Sequence, residues 1–445
     1  MIGPEFLAGI DVLHFCHTAS LISGDTAEFL EGAELNRLLN PGYLENIYNS
    51  NRRNVLMSQS KYKVSSLLGG AALVALGVAF AGQVTAGEAR VMKNSKDQVS
   101  LKVTGQFSTE ASMVDDGFSQ RVRHSDANFS SSRFRFIADS KVNANLKVRG
   151  VAEIAMNDNR NNPSNARATF NTGRSGNDLQ TRKTELIFTH NQLGRVYMGA
   201  GSAGADGVMN INTHGVYSSL PGFMGLIASG HQFKSDKDTL SGASLGGQFA
   251  DLDFNSRQQR IRYDTPNIGG FMVTMSHNDD QTVEAALRFS GKAGGTKIKA
   301  GAGVAQPTGS GETFEHMLGA QVSMAHNSGI GITMGCGFQK RNAQVTVAGV
   351  QEQDNDRTGC HTQGHFKRKF NSLGASTIVV EYDRKNNMQN YGDVATGIGV
   401  NFHQHVTAAA LEVWVKYSNF DLKQEVGTAT VKDIDIISLG TRMKF

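Results

Sequence analysis

The sequence has few prolines, few cysteines and no strong excess of charge of either sign. Six prolines beside 50 glycines in 445 residues favour a sheet with tight turns over a disordered chain, which would be rich in both. Three cysteines, Cys16, Cys336 and Cys360, are too few for a disulfide framework. An oxidising compartment would allow a disulfide between Cys336 and Cys360, but the sequence does not give the distance between them. A net charge of +4 is too small to indicate nucleic-acid binding.

Long apolar runs are also scarce. A mean hydropathy of -0.30 excludes a helical membrane protein and suits a β-barrel, in which half of each strand is polar. The exception is the uncharged run 64–80, which follows Lys61 and Lys63. Small residues suitable for cleavage end at Ala81 and Ala86, so the segment predicts a secretory signal peptide cut after one of them. A single transmembrane anchor is the alternative.

The chain divides into three parts by composition. Residues 1–56 carry mixed charge and weak periodicity, and we interpret them as an upstream extension, with Met57 as the true start. Residues 57–86 form the predicted signal peptide, and residues 87–445 form the predicted barrel. Because no second apolar run follows the signal, we expect the mature protein to be exported. The barrel-like strands behind the signal indicate the outer membrane of a diderm bacterium as its destination.

From residue 98 onward, apolar and polar residues alternate in short segments separated by Gly, Asn, Asp and Ser. Phe134 and Phe136, for example, alternate with Arg133 and Arg135. About sixteen such segments precede the end of the chain, and short and long connections alternate between them. An even number of antiparallel strands can close without an unpaired edge, which lipid requires. The sequence therefore predicts an all-β transmembrane antiparallel barrel.

The last strand carries its own pattern. A polar residue, a glycine, a hydrophobe and a terminal aromatic residue stand at Ser438, Gly440, Met443 and Phe445. This pattern resembles the C-terminal signal of bacterial outer-membrane β-barrels. The resemblance implies recognition by the barrel-assembly machinery.

The order of several loose motifs resembles the general porins of Gram-negative bacteria, of the sixteen-stranded trimeric type. These motifs are Ser131-Ser132-Arg133-Phe134 with the Asp139 turn, Leu193-Gly194-Arg195-Val196-Tyr197-Met198-Gly199, and Ile261-Arg262-Tyr263-Asp264-Thr265-Pro266 leading into Gly270-Phe271. The resemblance covers residues from about 98 to 445. It implies a homotrimer in outer-membrane lipid that lets small hydrophilic solutes and ions diffuse passively.

The same resemblance implies that a long third loop, residues 201–255, folds inward to a constriction and faces basic residues on the strands. Alternation predicts a basic lumen face, because a cation at the lipid midplane would cost about 2–4 kcal/mol. Its candidates are Arg133, Arg135, Lys147, Arg149, Arg195, Arg260 and Arg262. The candidate acids of the loop are Asp206, Asp236, Asp238, Asp251 and Asp253. The early acidic cluster that the family usually carries is reduced here to Asp206. We expect a slight preference for anions.

Three other motifs suggest different chemistry. Residues 199–204 match G-x-G-x-x-G, but the acid that a dinucleotide site needs about 20 residues later is missing, so we interpret the glycines as a flexible start of the loop. Residues 242–246 match G-x-S-x-G around Ser244, in surroundings too polar for a nucleophile elbow. Cys360 and His361 point to opposite faces of a strand and cannot share a metal.

Histidines His361 and His365 share one strand face, as do His403 and His405, and we interpret both pairs as titrating lumen residues without a metal. We expect no cofactor and no catalytic residue. Two rival functions remain open, a barrel enzyme of the lipase or esterase type that uses Ser244 and a non-channel adhesin or structural barrel.

Overall fold

The computed structural model describes residues 91–94, 98–156, 179–309, 314–342, 356–425 and 430–445. The proposed upstream extension, residues 1–56, and the signal peptide, residues 57–86, lie outside this part of the chain. No helix among the described residues is both long and apolar enough to cross a membrane.

Alternating, β-branched and aromatic segments form strands over almost the whole described chain. The strands are β1 (Val91–Lys93), β2 (Val99–Asp115), β3 (Gln120–Ser125), β4 (Arg133–Lys141), β5 (Leu146–Met156), β6 (Leu179–His190), β7 (Gly194–Ser202), β8 (Gln232–Lys234), β9 (Leu240–Ser244), β10 (Arg257–Asp264), β11 (Phe271–Asn278), β12 (Thr282–Ala293), β13 (Thr296–Pro307), β14 (Phe314–His326), β15 (Ile330–Arg341), β16 (Arg357–Asn371), β17 (Gly374–Asn386), β18 (Val394–Val406), β19 (Leu411–Lys423) and β20 (Ile434–Lys444). The helical segments are the 3-10 turns Asn128–Ser130, Tyr217–Ser219, Met224–Ala228 and Thr407–Ala409 and the helix α1 (Leu245–Gln248).

The main sheet closes on itself. Each strand pairs antiparallel with the next, β7 pairs with β10 across the long loop, and β2 pairs with β20. Strands β3 and β4 lie end to end along one side of β2, while β1 pairs with β2 beyond the end of β20. The result is a closed barrel of sixteen antiparallel strands, which confirms the predicted fold class. Closure satisfies every strand edge, as a membrane-spanning sheet requires.

Alternation assigns one face of each strand to the outside. In β20, Ile436, Ser438 and Arg442 are buried, whereas Ile437 and Met443 are 41% and 43% exposed. Large apolar side chains on other strands are exposed in the same way, including Val273 and Val415. A row of exposed hydrophobic residues around a barrel whose polar residues face inward is the pattern of a lipid-facing wall.

The two ends of the barrel differ in their connections. At one end, which we call the short-turn end, strands are joined by turns of two to six residues, for example Gly294-Gly295 between β12 and β13. Gly194 and Gly295 adopt φ of 89° and 79°, where a side chain would strain the turn. At the opposite long-loop end most connections are longer, although four residues join β2 to β3 and three join β11 to β12. The predicted alternation of short and long connections is present with those two exceptions.

The C-terminal residue is held by the first long strand. Phe445 and Gly105 exchange backbone hydrogen bonds of 3.1 Å and 2.8 Å, and the Phe445 ring lies 5.6 Å from Phe107 and 5.9 Å from Phe134 between centroids. Gly440 lies against the Trp414 ring, where a Cβ would collide with it. The terminal motif therefore closes the barrel seam and packs its aromatic ring on the outer wall.

Cys336 and Cys360 form a disulfide between β15 and β16. They are direct register partners with Cα atoms 4.1 Å apart, and Cys336 is exposed on the outer face. The bridge encloses the connection between these strands. The sequence could not show whether the two cysteines are close enough to bond, and the strand register shows that they are.

The loop between β7 and β10 is folded and lies inside the barrel. Its residues Met224, Phe233 and Phe249 join a buried apolar cluster with Phe420 and Ile434 of the inner wall. Two smaller clusters involve the ends of the loop. The loop runs from residue 203 to residue 256, close to the predicted range 201–255. A dry apolar contact of this kind fixes the loop against the barrel wall.

Candidate functional site

The inward loop follows one side of the lumen. From its start it contacts β11 and β12, where the Gly204 amide donates to the Ser276 hydroxyl at 2.8 Å. Further along, the Lys367 ammonium donates to the His214 carbonyl at 2.9 Å, and the Asn401 amide donates to the Ser218 hydroxyl at 2.7 Å. The loop therefore lies along the wall from β11 to β20. The lumen face of β4 to β10 remains opposite it.

The glycines at the start of the loop are packed rather than flexible, so the predicted flexible start is wrong. A Cβ on Gly201 would collide with the side chains of Glu185 and Arg260, and one on Gly204 would collide with the backbone at Ser276. These glycines allow the chain to approach the wall closely. The G-x-G-x-x-G match thus reflects packing against strands and has no helix behind it.

Three arginines of the opposite wall share a single carboxylate. Glu153 of β5 is buried and contacts Arg133, Arg135 and Arg182, with Arg133 Nη1 at 3.3 Å and Arg182 Nε at 2.7 Å. Strand register places Arg135 directly opposite Glu153. One carboxylate cannot neutralise three guanidinium groups, so this part of the wall keeps a positive excess.

Two further arginines continue the cationic surface on β10. Arg260 contacts Glu185, and Arg262 makes a pair with Asp264 at 2.7 Å. Both guanidinium groups lie over the Tyr197 ring, at 5.6 Å and 5.2 Å from its centroid. Together with the arginines at Glu153 they form a group that we call the basic wall. Its members are Arg133, Arg135, Arg182, Lys183, Arg257, Arg260 and Arg262.

The other three predicted basic residues lie elsewhere. Lys147 and Arg149 share the lumen side of β5 but stand near the short-turn end, where Arg149 pairs with Asp139 at 2.7 Å and is 52% exposed. Arg195 begins β7 at the same end. All seven candidates are therefore on the predicted face, but the structure does not bring these three to the basic wall.

The acidic cluster of the loop comes from both of its ends. Asp206 lies just after β7 in the chain, and Asp251 and Asp253 lie just before β10. The three carboxylates interact electrostatically. Burial raises the pKa of all three, that of Asp251 to about 6. Asp206 also lies within range of Arg257, Lys183 and Arg262. Asp206 therefore faces the basic wall, and Asp251 also interacts with Arg257 of that wall.

Asp253 has a structural role. Its carboxylate accepts hydrogen bonds from the amides of Gly207 and Met209 at 2.9 Å and 2.7 Å and from the Asn210 side chain. These bonds join the end of the loop to its start. Asp253 therefore ties the loop together and is not available to a solute.

Asp236 and Asp238 lie in the exposed turn between β8 and β9. The Asp236 carboxylate accepts hydrogen bonds of 2.8 Å from the amides of Asp238 and Thr239, which lowers its pKa. Asp236 caps the turn, Asp238 donates its amide to that cap, and both side chains are exposed. Their proposed place at the constriction is wrong, because the loop forms a hairpin that carries them away from it.

Sequence reasoning missed several wall residues. Arg182 and Lys183 lie on β6, Arg257 begins β10, and Glu153 and Glu185 supply the counter-charges. A register shift opposite Glu153 brings Arg182 to its carboxylate, which a strict two-residue period does not predict. Glu153 has the same strand parity as the predicted lumen residues Lys147 and Arg149 of β5, so an acid on that face was the signal that could have found it.

The paired histidines lie in the barrel interior. Ligand atoms of His403, His405 and Glu412 lie within 4.8 Å of one another. The Glu412 carboxylate is also held by Arg442 and by Lys444, the latter at 2.5 Å, so its charge is already balanced. The group is an ion-pair network at the β18–β19–β20 wall.

Ser244 occupies the end of β9, and α1 follows it. Its hydroxyl accepts the Gly247 amide at 3.2 Å, and its own amide donates to the Gln389 side chain at 2.8 Å. Within the part of the chain that the structure describes, no histidine hydrogen-bonds to Ser244. The serine caps a four-residue helix, and the G-x-S-x-G match lacks the base that an elbow nucleophile needs.

The chain is similar to known bacterial channels. The family model described as Gram-negative porin matches residues 70–442. No curated relative matches the sequence.

Three solved structures illustrate the likeness in fold. The anion-selective porin from Comamonas acidovorans has a TM-score of 0.52 at 13% identity, covering 78% of this chain and 100% of that one. OmpF of Salmonella typhi in complex with daunomycin has a TM-score of 0.52 at 13% identity, covering 80% and 100%. A loop-deletion mutant of OmpT, an outer membrane protein of Vibrio cholerae, has a TM-score of 0.52 at 15% identity, covering 78% and 100%.

Proposed function

Because this chain belongs to the Gram-negative porin family, we propose that its channel prefers anions and that the basic wall provides the preference. The protein is an outer-membrane channel for the passive diffusion of small hydrophilic solutes. Selectivity in such a channel comes from pore width and from the charges around its narrow part.

The observation that carries the proposal is the surplus of cations on the basic wall. Its carboxylates are Glu153, Glu185 and Asp264, and Asp206 faces it from the loop. The seven cationic side chains of the basic wall thus outnumber these acids, and Glu153 alone is shared by three guanidinium groups. A cleft lined by one sign of charge raises the local concentration of the opposite ion. The Comamonas acidovorans neighbour is an anion-selective porin, and we extend that preference to this chain.

Reversal potentials in a potassium chloride gradient test the preference. The proposal predicts a potential of the sign given by excess chloride permeability. A clear cation preference would contradict it.

We also propose that the protein catalyses no reaction. The rival enzyme would use Ser244, whose hydroxyl caps α1 instead. A fluorophosphonate probe that labels serine hydrolases should leave the purified protein unlabelled, and labelling that disappears in Ser244→Ala would support the enzyme. The rival adhesin or structural barrel predicts no conductance in a planar bilayer.

Export and assembly complete the proposal. We propose that residues 57–86 are removed as a signal peptide, that the barrel-assembly machinery recognises the last strand, and that three copies form a homotrimer in outer-membrane lipid. Sequencing the N-terminus of the mature protein tests the first part, and a start before Met57 would contradict it. The mass of the detergent-solubilised particle, measured by light scattering, distinguishes a trimer from a monomer.

A further inference from the structure

One segment of the inward loop is exposed at every third residue. Tyr217 is 45% exposed, Leu220, Phe223 and Leu226 are half-buried, and the two residues between each of these positions are buried. The Phe223 amide donates to the Leu220 carbonyl at 3.3 Å, and the Leu226 amide donates to the Phe223 carbonyl at 3.1 Å. Such three-residue turns bring every third residue to the same side of the segment. We call these four side chains the apolar stripe.

The residues between the stripe positions pack on the barrel wall. The Asn401 side chain of β18 donates to the Ser219 hydroxyl at 2.8 Å. A Cβ on Gly222 would lie 3.4 Å from the His361 ring of β16, and Met224 belongs to the buried apolar cluster on the inner wall. Because these contacts hold the other sides of the segment, the apolar stripe is the side that faces the lumen.

The stripe lies in a part of the loop that carries no carboxylate. Residues 207–235 contain neither Asp nor Glu, and the loop acids near the basic wall come from the two ends of the loop. The middle of the loop therefore presents hydrocarbon and a phenol ring to the lumen, whereas the strands opposite present guanidinium groups. The passage between them has one apolar side and one cationic side.

Cationic groups also lie near both ends of the stripe. At one end, the Asn128 side chain donates to the Leu226 carbonyl at 3.3 Å. In the same connection between β3 and β4, Arg133 Nε of the basic wall donates to the Ser131 carbonyl at 2.9 Å. At the other end, Lys444 Nζ lies 5.7 Å from the centroid of the Tyr217 ring. A solute that contacts the stripe thus has positive charge close by.

We propose that the apolar stripe and the basic wall together select organic anions that carry an apolar group, with aromatic monocarboxylates as the best fit. The inference rests on the proposed anion preference and adds the class of solute to it. The ring of the solute leaves water against Leu220 and Phe223, while its carboxylate faces the guanidinium groups. Removal of apolar surface from water favours the bound solute in proportion to its area, which an inorganic anion cannot gain.

Single-channel recordings of the full-length protein in potassium chloride test the inference, with sodium benzoate, sodium acetate or benzylammonium chloride added to one side. Benzoate has a ring and a negative charge, acetate has the charge alone, and benzylammonium has a ring with the opposite charge. Benzoate should reduce the chloride current saturably, at a half-effect concentration about tenfold lower than that of acetate. Benzylammonium should act more weakly than benzoate, because the basic wall repels it.

Phe223→Ser is the informative variant, because it removes a ring from the middle of the stripe and leaves every guanidinium group in place. It should raise the half-effect concentration of benzoate about fivefold and leave that of acetate unchanged. Phe223→Leu keeps an apolar side chain and should retain most of the benzoate effect. The matched control is Ile268→Ser, which removes an exposed apolar side chain from the short turn between β10 and β11 and should change neither concentration.

Equal half-effect concentrations for benzoate and acetate in the unaltered channel would overturn the inference, and so would a benzoate effect that Phe223→Ser leaves unchanged. A benzylammonium effect as strong as that of benzoate would also overturn it, because the basic wall would then take no part. The three solutes decide the inference in the unaltered channel even where Phe223→Ser does not fold. The reversal potential in potassium chloride, recorded on the same channels, reports the anion preference separately. A channel that prefers chloride but treats benzoate and acetate alike would remove the inference and leave the proposed function standing.

Discussion

Glu153 is the counter-ion that sets the charge of the basic wall. It is 1% exposed and contacts Arg133, Arg135 and Arg182. A buried carboxylate is tolerated only when it is paired and hydrogen-bonded, which these arginines provide. The same contacts hold the guanidinium groups in place beside the lumen.

Removing this carboxylate should strengthen the anion preference. In Glu153→Gln the arginines keep their charge and lose a counter-charge, and one unit charge about 10 Å from a permeating ion in water changes its energy by about 0.4 kcal/mol, a factor of about two. Because chloride is favoured and potassium disfavoured by this amount, we expect the chloride-to-potassium permeability ratio to rise about fourfold, measured from reversal potentials. Glu315→Gln, which removes an exposed acid outside the wall, serves as the control. An unchanged or lower ratio in Glu153→Gln would contradict this role.

The loop acids should make selectivity depend on pH. Burial raises the pKa of Asp251 to about 6 and raises those of Asp206 and Asp253. As pH falls through about 6, the Asp251 carboxylate gains a proton and the lumen becomes more positive, so the anion preference should increase. Asp251→Asn should flatten part of the change. Reversal potentials measured on either side of pH 6 provide the readout, and a preference that decreases on acidification would contradict the assignment.

The raised pKa of Asp251 also sets the direction in which folding stability changes with pH. A carboxyl whose pKa is higher in the folded protein than in the unfolded chain binds its proton more tightly when folded. The contribution of Asp251 is therefore most favourable below its ordinary value of 3.8 and is lost as pH rises through about 6.

At the scale of an element, the β8–β9 hairpin is fastened to the barrel by a buried ion pair. Lys234 Nζ lies 2.5 Å from the Asp116 carboxylate, and His231 Nε2 lies 3.4 Å from it. Asp116 also accepts the amides of Phe118 and Ser119. These contacts lower the pKa of Asp116 well below its ordinary value. Breaking a buried pair on one side leaves an uncompensated charge.

Asp116→Asn should loosen the hairpin without opening the barrel. Lys234 would lose its partner, at a cost of about 3–5 kcal/mol for a buried pair. We expect faster proteolytic cleavage between β8 and β9 and noisier single-channel current, with an unchanged β-sheet signal in circular dichroism. Asp238→Asn in the exposed turn is the matched control. Equal cleavage rates in the two variants would argue against the ion pair as a fastener.

The disulfide should stabilise the barrel locally. The bridge joins two residues 24 positions apart, and a link of this length is expected to contribute about 3 kcal/mol. A Cys336→Ser and Cys360→Ser double variant should unfold at lower denaturant concentration, measured by loss of sheet signal in guanidinium chloride. Its conductance should not change, because the bridge lies on the outer face. A changed conductance would contradict the position of the bridge on the outer face.

The path of the loop could not be predicted from the sequence, whereas the strand faces could. Two-residue alternation correctly placed Arg133 and Arg260 on the inner face, because lipid imposes that period on every strand. The contact of Phe249 with Phe420, whose ring centroids lie 4.9 Å apart, joins distant parts of the chain and follows no local period. The sequence did contain a signal, since Ile434 and Ile436 make the inner face of β20 apolar where the lumen would otherwise be polar.

At the scale of the whole molecule, closure between β2 and β20 converts the alternating strands into a tube. The register continues without a gap from Gln106 opposite Lys444 to Asp115 opposite Asp435. The folded loop fills one side of that tube and leaves the basic wall on the other. Fold class and strand faces followed from the sequence, but which cations meet which acids depended on register and on a β-bulge that alternation does not encode.

Deleting Phe445 should impair assembly of the whole barrel. The residue pairs with Gly105 at the seam and packs on Phe107 and Phe134, so its loss leaves the last strand less firmly held. We expect less heat-modifiable, folded protein on electrophoresis from outer-membrane fractions. Phe445→Tyr keeps the ring and should assemble normally. Normal yield of the deletion would show that the terminal aromatic residue is dispensable.

The conductance of the purified full-length protein in a planar bilayer tests the central claim most directly, namely that the closed barrel has a water-filled interior beside its loop. The account predicts discrete current steps whose size rises nearly in proportion to bulk potassium chloride concentration, since ions cross through water. An absence of steps in correctly folded protein, across the same salt range, would show that the loop seals the barrel and would contradict the account.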